Sequence, residues 1–371
     1  MKILITYALT GAGHLKAAEA ISKCLREKYP DVQVELIDFL EKTNAFFRFF
    51  YSGGYSFLIR RSLLLWRFFF WWTDFEPTSF IARPLGAVLN RWHSKRFIRF
   101  LVDKQFDCIV STHFFSAEIA GFLKRKKKIR SRLVTVVTDF GAHRFWVSSG
   151  TDIYIAATEL TKLELGKKGA HPDNVRVLGI PVDPSFSKAF DLVLLRKKFG
   201  ADKGLFTVLI IAGSFGIGPI KKLVDLLCED LQILVVCAKN KRLFNSLKRR
   251  DYAGVRVFGF VDNIAELMSV SDCIITKPGG LTIAESLDKD LAPVFMTAIP
   301  GQEMQNIKVL AQYGIGLYSK KAARLRDMIM DLKSHPEKIR LLKENAAKIK
   351  KPRALEEICH VICEDRPGGS C

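Results

Sequence analysis

The sequence has 371 residues, of which 49% are hydrophobic and 26% are charged, and its formal net charge is +20. This length suits two globular domains, and the composition excludes a mostly disordered chain. The excess of positive charge predicts attraction to a polyanion, which leaves nucleic acid, an anionic membrane and phosphorylated substrates as candidate partners.

In chain order, apolar β-branched runs alternate with helix-like stretches. The N-terminus lacks the features of a signal peptide and is predicted to be the first strand. Predicted strands of the first half lie at 3–8, 32–39, 106–112, 133–139, 153–158 and 175–179. Those of the second half lie at 206–212, 233–238, 255–260, 273–277, 293–297 and 314–318. This alternation predicts an α/β protein with two Rossmann-like domains whose parallel sheets face a cleft.

The two series of strands are separated by a segment rich in residues that interrupt regular structure. Gly179, Pro181 and Pro184 lie within six residues of one another, and such clusters mark turns and linkers. We therefore place the domain boundary here, between residues 1–183 and residues 184–365. The tail after Ser334 is predicted to be an amphipathic helix.

Residues 46–75 differ from this pattern because aromatic side chains and arginines crowd together there. Around residues 66–72 the predicted helix is apolar on nearly every side except at Arg67, whereas a core helix needs one apolar face. Aromatic rings with basic neighbours suit the headgroup boundary of a membrane. Internal packing or a dimer contact is the alternative. The candidate membrane-facing and acceptor-facing residues are Arg60, Arg61, Trp66, Arg67, Phe69, Phe70, Trp71 and Trp72.

The first strand leads into a turn, Thr10-Gly11-Ala12-Gly13-His14, and then into an alanine-rich helix. Glycines at such a turn let backbone amides face a ligand at the edge of the sheet, so Gly13 is a candidate ligand-binding residue. The turn does not match a dinucleotide fingerprint, because Lys16 occupies the third glycine position. His14 is well placed as a general base, with helix capping as the alternative role.

The second half carries three further candidate motifs. A glycine-rich turn follows the first strand of this half and contributes Gly213, Ser214 and Gly216. A second turn, beginning at Thr276, ends in two glycines, after which Thr282 is predicted to cap a helix that carries a carboxylate suited to ribose hydroxyls. A cluster of amide and carboxylate groups then suits sugar hydroxyls. The candidate UDP-sugar-binding residues here are Phe260, Gly279, Gly280, Thr282, Glu285, Gln302, Glu303 and Asn306.

These motifs together resemble those of the monogalactosyldiacylglycerol synthase and processive diacylglycerol glucosyltransferase family. The resemblance rests on residues 11–14, on the run from Val137 to Trp146, on residues 276–285 and on residues 300–306. More distantly, the chain is similar to the transferase that adds N-acetylglucosamine to lipid I. The resemblance implies a GT-B fold and an inverting transfer of galactose or glucose from a UDP-sugar to diacylglycerol or a related lipid.

Specific roles follow from the resemblance alone. It implies that His14 is the base, that Asp139 and His113 lie in the first-domain cleft, and that the second domain holds the donor. In the donor site, Gly279, Gly280 and Thr282 would face the diphosphate and Glu285 the ribose. Gln302, Glu303 and Asn306 would contact the donor sugar. The alternatives left open are an N-acetylglucosaminyltransferase acting on a cell-wall lipid precursor and a UDP-sugar epimerase.

Metal, cofactor and nucleic-acid functions are not expected. Asp288 and Asp290 superficially match a metal-binding DxD motif, but helix N-termini and glycine turns can meet the diphosphate without a metal. Cys359 and Cys363 are expected to be reduced thiols. The basic run at residues 124–128 is interpreted as a solvated loop or as a patch facing anionic lipid. Because no uncharged apolar run reaches about 18 residues, we expect a cytoplasmic protein bound peripherally to the inner face of the cell membrane.

Overall fold

The computed structural model of the protein describes residues 1–9, 11–49, 51, 62–74, 76–211 and 218–364. This described part of the chain forms two sheets, each of six parallel strands covered by helices. It divides into two compact units. The first comprises Met1–Asp183, Ile299–Gln305 and the chain from Lys351 onward, and the second comprises Pro184–Ala298 and Asn306–Lys350.

The sheet of the first unit has the strand order β2-β1-β3-β4-β5-β6. Its strands are β1 (Lys2–Tyr7), β2 (Gln33–Asp38), β3 (Cys108–Ser111), β4 (Arg132–Val136), β5 (Ile153–Ala156) and β6 (Val175–Val177). The helices before the unit boundary are α1 (Ala12–Lys28), α2 (Ala45–Phe49), α3 (Leu63–Asp74), α4 (Glu76–His93), α5 (Lys95–Lys104), α6 (Phe114–Arg125) and α7 (Glu159–Lys167).

The sheet of the second unit has the order β12-β11-β10-β7-β8-β9. Its strands are β7 (Thr207–Ile211), β8 (Gln232–Val236), β9 (Val255–Phe258), β10 (Cys273–Thr276), β11 (Ala292–Phe295) and β12 (Leu317–Tyr318). The remaining helices are α8 (Leu192–Phe199), α9 (Ile220–Leu227), α10 (Lys241–Lys248), α11 (Ile264–Ser269), α12 (Gly280–Asp288), α13 (Gln302–Gln312), α14 (Ala322–Ser334), α15 (Pro336–Ala347) and α16 (Ala354–Cys363). Each order reverses direction once, and ligands of parallel α/β sheets bind beside that reversal.

All twelve predicted strands are present in the described part of the chain, with ends that differ by at most three residues. The largest differences, of three residues, are at the end of β4, which is Val136 instead of 139, and at the start of β12, which is Leu317 instead of 314. Gly314 and Gly316 have φ values of +69° and +80°, so their backbone ends helix α13 in a turn and cannot extend the strand.

The tail differs more clearly from the prediction. Two helices, α15 and α16, replace the single amphipathic helix, because Pro352 lies between them and interrupts the backbone hydrogen bonding. Helix α16 buries Ile358, Cys359 and Ile362 against α1 and the first sheet. The prediction assigned 184–365 entirely to a second domain, whereas α16 completes the apolar core of the first unit.

Among the described residues, no helix combines the length and the apolar character that crossing a bilayer requires. Helix α3 is apolar but has only 12 residues. Helix α4 has 18 residues, and polar and charged side chains interrupt it.

Candidate active site

The carboxyl ends of β1 and β3 bring two histidines together. The strands are neighbours with Thr6 opposite Ser111, and the sheet order reverses between them. His14 lies in the first turn of α1, which follows β1, and His113 precedes α6, which follows β3. Their ring centroids are 4.8 Å apart in an edge-to-face arrangement. The first sheet therefore places two of the predicted catalytic residues side by side at its topological switch point.

The hydrogen bonds of His14 determine which ring nitrogen can act as a base. Its Nδ1 lies 2.7 Å from the Thr112 carbonyl oxygen and 2.9 Å from the Thr138 hydroxyl. A carbonyl oxygen can only accept, so Nδ1 carries the proton and donates it to Thr112. The lone pair is then on Nε2, which is the state that a general base requires. Capping of α1 is not the role of His14, because Gly11 occupies the cap position without a side-chain hydrogen bond.

Burial keeps this imidazole neutral. Desolvation lowers the pKa of His14 to about 4, although its hydrogen bond to the Thr112 backbone raises the pKa slightly. Its neighbours are largely aromatic: Trp146 lies 6.2 Å from its ring centroid, and Phe114 packs 5.9 Å from Trp146. The apolar surroundings disfavour the charged form. At neutral pH His14 is therefore able to accept a proton.

His113 and His143 have a different role, because each caps the start of a helical segment. His113 Nδ1 accepts a hydrogen bond from the Phe115 amide at 3.3 Å, and His143 Nδ1 accepts one from the Phe145 amide at 3.1 Å. In the neutral ring the proton is then on Nε2. Burial lowers the pKa of His113 well below its usual value and that of His143 to about 4. The structure thus makes His113 a poor alternative base, because its acceptor nitrogen is already used.

Asp139 follows β4 and is buried, with 4% of its surface exposed. Its carboxylate accepts a hydrogen bond of 2.6 Å from Gln302 Nε2. Gln302 begins α13 within the segment 299–305, which belongs to the first unit. Gly141 packs closely on the same segment, because a Cβ atom at Gly141 would lie 2.5 Å from Gln305 Cβ. A predicted sugar-contacting residue is therefore held by a predicted cleft carboxylate.

The aromatic helix α3 packs on this segment with one of its faces. Trp66 donates its indole hydrogen to the Pro300 carbonyl oxygen at 2.9 Å. The Phe70 ring lies 4.3 Å from the His143 ring and fills the space beside Gly301, where a Cβ atom would lie 2.4 Å from the Phe70 ring. Trp66 and Phe70, predicted to face lipid, therefore pack against the protein. Trp71 is 54% exposed, and Arg67, Leu64 and Leu65 of the same helix are also exposed.

A buried polar cluster at the end of α3 is not evident in the sequence motifs. Asp74 accepts two hydrogen bonds from Lys168, at 2.6 and 2.7 Å, and one from the Arg144 amide at 2.8 Å. His143 and Gln305 lie 3.8 and 3.5 Å from its oxygens. Burial acts to raise the pKa of Asp74, but the positive charges and donors around it leave that pKa below its usual value. An aspartate after an aromatic run gave no signal of this role, because its partners are distant in the sequence.

In the second unit the sheet order reverses between β7 and β10, whose last residues, Ile211 and Thr276, are paired. The turn after β10 leads into α12, for which Gly279 is the cap residue without a side-chain hydrogen bond. Thr282 therefore lies inside the first turn instead of capping the helix as predicted. The amide groups of this first turn have no acceptor within the helix, which makes the turn suitable for an anionic diphosphate. Glu285 lies on the same helix and is partly buried.

Two of the predicted sugar-contacting residues have hydrogen bonds that shape the backbone. Asn306 is fully buried and donates to the Pro278 carbonyl oxygen at 2.9 Å, so it holds the turn that precedes Gly279. Glu303 accepts a hydrogen bond of 2.6 Å from the Ile299 amide. Phe260, by contrast, is 70% exposed just after β9, at the edge of the second sheet. Direct contacts of these three residues with a donor stay predictions.

Other predicted residues cannot be described in the same way. Gly213, Ser214 and Gly216 after β7 lie outside the described residues, as do Arg60, Arg61 and the side chain of Phe69. Trp72 is partly buried, and Gly13 lies in the first turn of α1. In the DxD sequence, Asp290 forms an ion pair of 2.8 Å with Lys350, and burial raises the pKa of Asp288 to about 6.

The buried histidines predict a loss of stability in mild acid. The unfolded chain binds protons on histidine near pH 6.5, whereas burial lowers the pKa of His14 and His143 to about 4 in the folded protein. Between these values the unfolded state binds more protons, so the free energy of unfolding falls as the pH drops from about 6.5 to 4. Thermal unfolding at several pH values measures this. We expect His143→Gln to show a shallower decline than the wild type, and an equally steep decline would contradict the assignment.

Comparison with known proteins places the chain in a family. The profile described as monogalactosyldiacylglycerol (MGDG) synthase matches residues 14–182, and the glycosyltransferase family 28 C-terminal domain matches residues 207–358. The chain is 31% identical to the probable chloroplastic monogalactosyldiacylglycerol synthase of Nicotiana tabacum, over 98% of this chain and 70% of that protein. It is 26% identical to the processive diacylglycerol beta-glucosyltransferase of Bacillus subtilis (strain 168), over 98% and 94% of the two chains.

The fold has solved counterparts. The crystal structure of MurG from Acinetobacter baumannii matches with a TM-score of 0.61 over 98% of this chain and 99% of that one. Their sequences are only 16% identical, so this likeness concerns the fold alone. Both sheets, the matched profiles and the identity to the tobacco protein agree with the resemblance found in the motifs. The protein is a GT-B glycosyltransferase and belongs to the monogalactosyldiacylglycerol synthase family.

Proposed function

We propose that this protein transfers a hexose, galactose or glucose, from a UDP-sugar to 1,2-diacylglycerol or a related lipid alcohol, with inversion at the anomeric carbon. The observation that carries this proposal is His14, a neutral imidazole whose Nδ1 donates to the Thr112 carbonyl oxygen and whose Nε2 is therefore the acceptor. The protein belongs to a family whose members include relatives named monogalactosyldiacylglycerol synthase and diacylglycerol beta-glucosyltransferase. A β-glycoside formed from an α-linked nucleotide sugar requires inversion, and one base is sufficient for that reaction.

In the proposed reaction, the oxygen of the lipid hydroxyl attacks the anomeric carbon while His14 Nε2 accepts the hydroxyl proton. The bond between that carbon and the diphosphate oxygen breaks, and UDP leaves with the additional negative charge. Helix α12, with Gly279 and Gly280 at its start, stabilises this charge through its free amides and its dipole. The first unit binds the acceptor, and the second binds the UDP moiety of the donor.

The donor-binding roles in this proposal combine the family resemblance with local geometry. Glu285 accepts hydrogen bonds from the ribose hydroxyls, and Gln302 and Glu303 contact the hexose. Asn306 supports the turn at Pro278 and so acts on the donor through the backbone. Phe260, Thr282 and the glycine-rich sequence that includes Gly213, Ser214 and Gly216 complete the proposed donor site.

The experiment that tests this function is a product analysis. The purified protein is incubated with UDP-glucose, UDP-galactose and UDP-N-acetylglucosamine in turn, in mixed micelles with and without diacylglycerol, and products are identified by mass. A diacylglycerol hexoside formed only with acceptor present supports the proposal. Epimerised UDP-sugar or free sugar as the sole product, or transfer of N-acetylglucosamine alone, would contradict it.

We also propose that the protein binds peripherally to an anionic membrane, at the cytoplasmic face, through helices α2 to α4. Large apolar side chains on these helices are between 44% and 79% exposed. They are Phe46 and Phe49 on α2, Leu64, Leu65, Phe68 and Trp71 on α3, and Leu85, Val88, Leu89 and Trp92 on α4. Those on α4 recur at the spacing of one helical face. Exposed basic residues lie nearby in sequence: Arg67 on α3 and Lys95, Arg96 and Arg99 on α5.

Serine substitution at Leu64, Phe68 and Trp71 is expected to weaken binding to vesicles strongly while the protein stays folded. Apolar insertion is insensitive to salt, whereas each basic residue near an anionic surface contributes about 1 kcal/mol that salt screens. Binding of the wild type should therefore weaken but persist as salt rises. Sedimentation with anionic and neutral vesicles measures both contributions, the apolar insertion and the electrostatic attraction. A matched control replaces Leu192, Val193 and Leu194 on α8, which are also exposed. Wild-type affinity in the α3 variant would refute docking through this face.

A further inference from the structure

Helix α3 carries an exposed apolar face and a face that contacts the segment 299–305. The exposed face includes Leu64, Phe68 and Trp71, of which 79%, 54% and 54% of the surface is accessible. Trp66 and Phe70 alternate with these residues and point to the protein. A helix of 12 residues thus presents one surface to the protein and another that is exposed.

Contacts along the inner face are regular. Trp66 binds the Pro300 carbonyl oxygen at 2.9 Å, and the Phe70 ring lies directly against Gly301. Asp74, one further turn along, lies 3.5 Å from Gln305 Nε2. Three successive turns of α3 therefore contact the segment, at Pro300, Gly301 and Gln305.

The same segment orients the predicted sugar-contacting groups. Between Gly301 and Gln305 lie Gln302, which is bonded to Asp139 at 2.6 Å, and Glu303, which is bonded to the Ile299 amide at 2.6 Å. Gly301 has a φ of +95° and no room for a side chain beside Phe70. The start of α13 is consequently fixed from both sides, by Asp139 and by α3.

The C-terminal end of α3 is itself anchored to the first unit. The ion pair of Asp74 with Lys168 is largely buried, with 19% and 14% of the side chains exposed. Asp74 also accepts the Arg144 amide hydrogen. A buried pair of this kind fixes geometry, because breaking it leaves an uncompensated charge.

We infer that α3 positions the sugar-contacting loop 299–305 and transmits membrane docking to it, with Trp66, Phe70 and Asp74 as positioning residues. The inference rests on the proposed function, in which Gln302 and Glu303 contact the hexose. The inner face of α3 holds the segment in the arrangement in which Gln302 binds Asp139, and lipid bound to the exposed face of the same helix stabilises that arrangement. Donor recognition is therefore strongest when the enzyme is on a membrane.

The test separates the two faces. Trp66→Phe keeps an aromatic side chain but removes the hydrogen bond to the Pro300 carbonyl oxygen. We expect the KM for the UDP-sugar on vesicles to rise about three- to tenfold. Vesicle binding and the melting temperature should stay at wild-type values. The matched control, Trp71→Phe with Phe68→Ser on the exposed face, should weaken vesicle binding but leave the KM for the UDP-sugar unchanged at saturating vesicle concentration.

A second variant pair addresses the contact at Gly301. Gly301→Ala should impair donor binding both through its positive φ and through collision with Phe70. Because Phe70→Ala removes the collision, the double variant should be less impaired than the product of the single effects predicts. Independent, multiplicative effects would show that the ring does not constrain the loop.

Donor binding without catalysis distinguishes failure of this inference from failure of the proposed function. Calorimetric titration of UDP-glucose and UDP-galactose, with and without anionic vesicles, should show tighter binding on vesicles for the wild type and a smaller gain for Trp66→Phe. Equal affinities with and without vesicles, or an unchanged affinity in Trp66→Phe, would overturn the inference. Absence of lipid product from the wild type, with these affinities as expected, would overturn only the acceptor assignment.

Discussion

Replacing His14 with alanine is expected to lower kcat about a hundredfold or more, as loss of a general base usually does. The structure gives this residue the required properties. Its Nδ1 donates a hydrogen bond to the Thr112 carbonyl oxygen, and burial lowers the pKa of the ring to about 4. Nε2 is therefore unprotonated at neutral pH. Because His14 lies in the first unit and the UDP moiety of the donor is proposed to bind the second, the KM for the UDP-sugar should change little.

A matched control for this variant is His143→Gln, which removes another buried neutral imidazole without removing the proposed base. We expect its kcat to stay within a few fold of the wild type. The pH dependence gives a second check. The base must be unprotonated, so kcat/KM should fall only as the pH approaches about 4, well below the ordinary histidine value of 6.5. A mild effect of His14→Ala on kcat would transfer the role to Asp139.

The fold was largely predictable from the sequence. Alternating apolar runs predicted both parallel sheets, and the structure confirms all the strands within the described residues. The family resemblance is confirmed by the matched profiles and relatives. Buried strands of parallel sheets are continuous apolar segments, which makes them visible without any knowledge of tertiary structure.

Tertiary contacts explain what the sequence did not reveal. The aromatic composition of α3 predicted lipid contact, but it could not show that Trp66 and Phe70 face Pro300 and Gly301, which lie more than 200 residues away. The partners of Asp74 and the return of α16 to the first sheet are equally distant contacts. The apolar stripe on α4 was detectable, since its residues follow the helical repeat, but the more conspicuous aromatic cluster before it concealed that signal.

Within the candidate site, sequence patterns identified residues better than they identified roles. His14, His113 and Asp139 all lie at the carboxyl ends of neighbouring strands, as parallel-sheet topology requires. The role of His113 depends on a backbone amide that lies within hydrogen-bonding distance of Nδ1. The role of Asn306 likewise depends on the Pro278 carbonyl oxygen, to which its side chain donates a hydrogen bond. Such assignments depend on ångström-scale geometry that residue spacing does not determine.

The second large effect is expected for Glu285→Ala, which should raise the KM for the UDP-sugar about 10- to 150-fold. This range corresponds to the roughly 1.5–3 kcal/mol that hydrogen bonds to a charged group contribute. Glu285 follows the start of α12 by five residues, which is about 7.5 Å along the helix axis. A diphosphate bound at the helix start would then leave the ribose hydroxyls within reach of this carboxylate.

Two control variants distinguish this role from a general effect on the helix. Glu285→Gln keeps the shape and one acceptor but loses the charge, so its KM should lie between those of the wild type and the alanine variant. Asp288→Asn changes another carboxyl on the same helix and should leave the KM for the donor near the wild-type value. Titration with UDP alone shows whether the loss resides in the nucleotide, since the ribose is present in UDP. Unchanged affinity for UDP in Glu285→Ala would remove this residue from the ribose site, and the donor would then have to be held by other groups on the second unit.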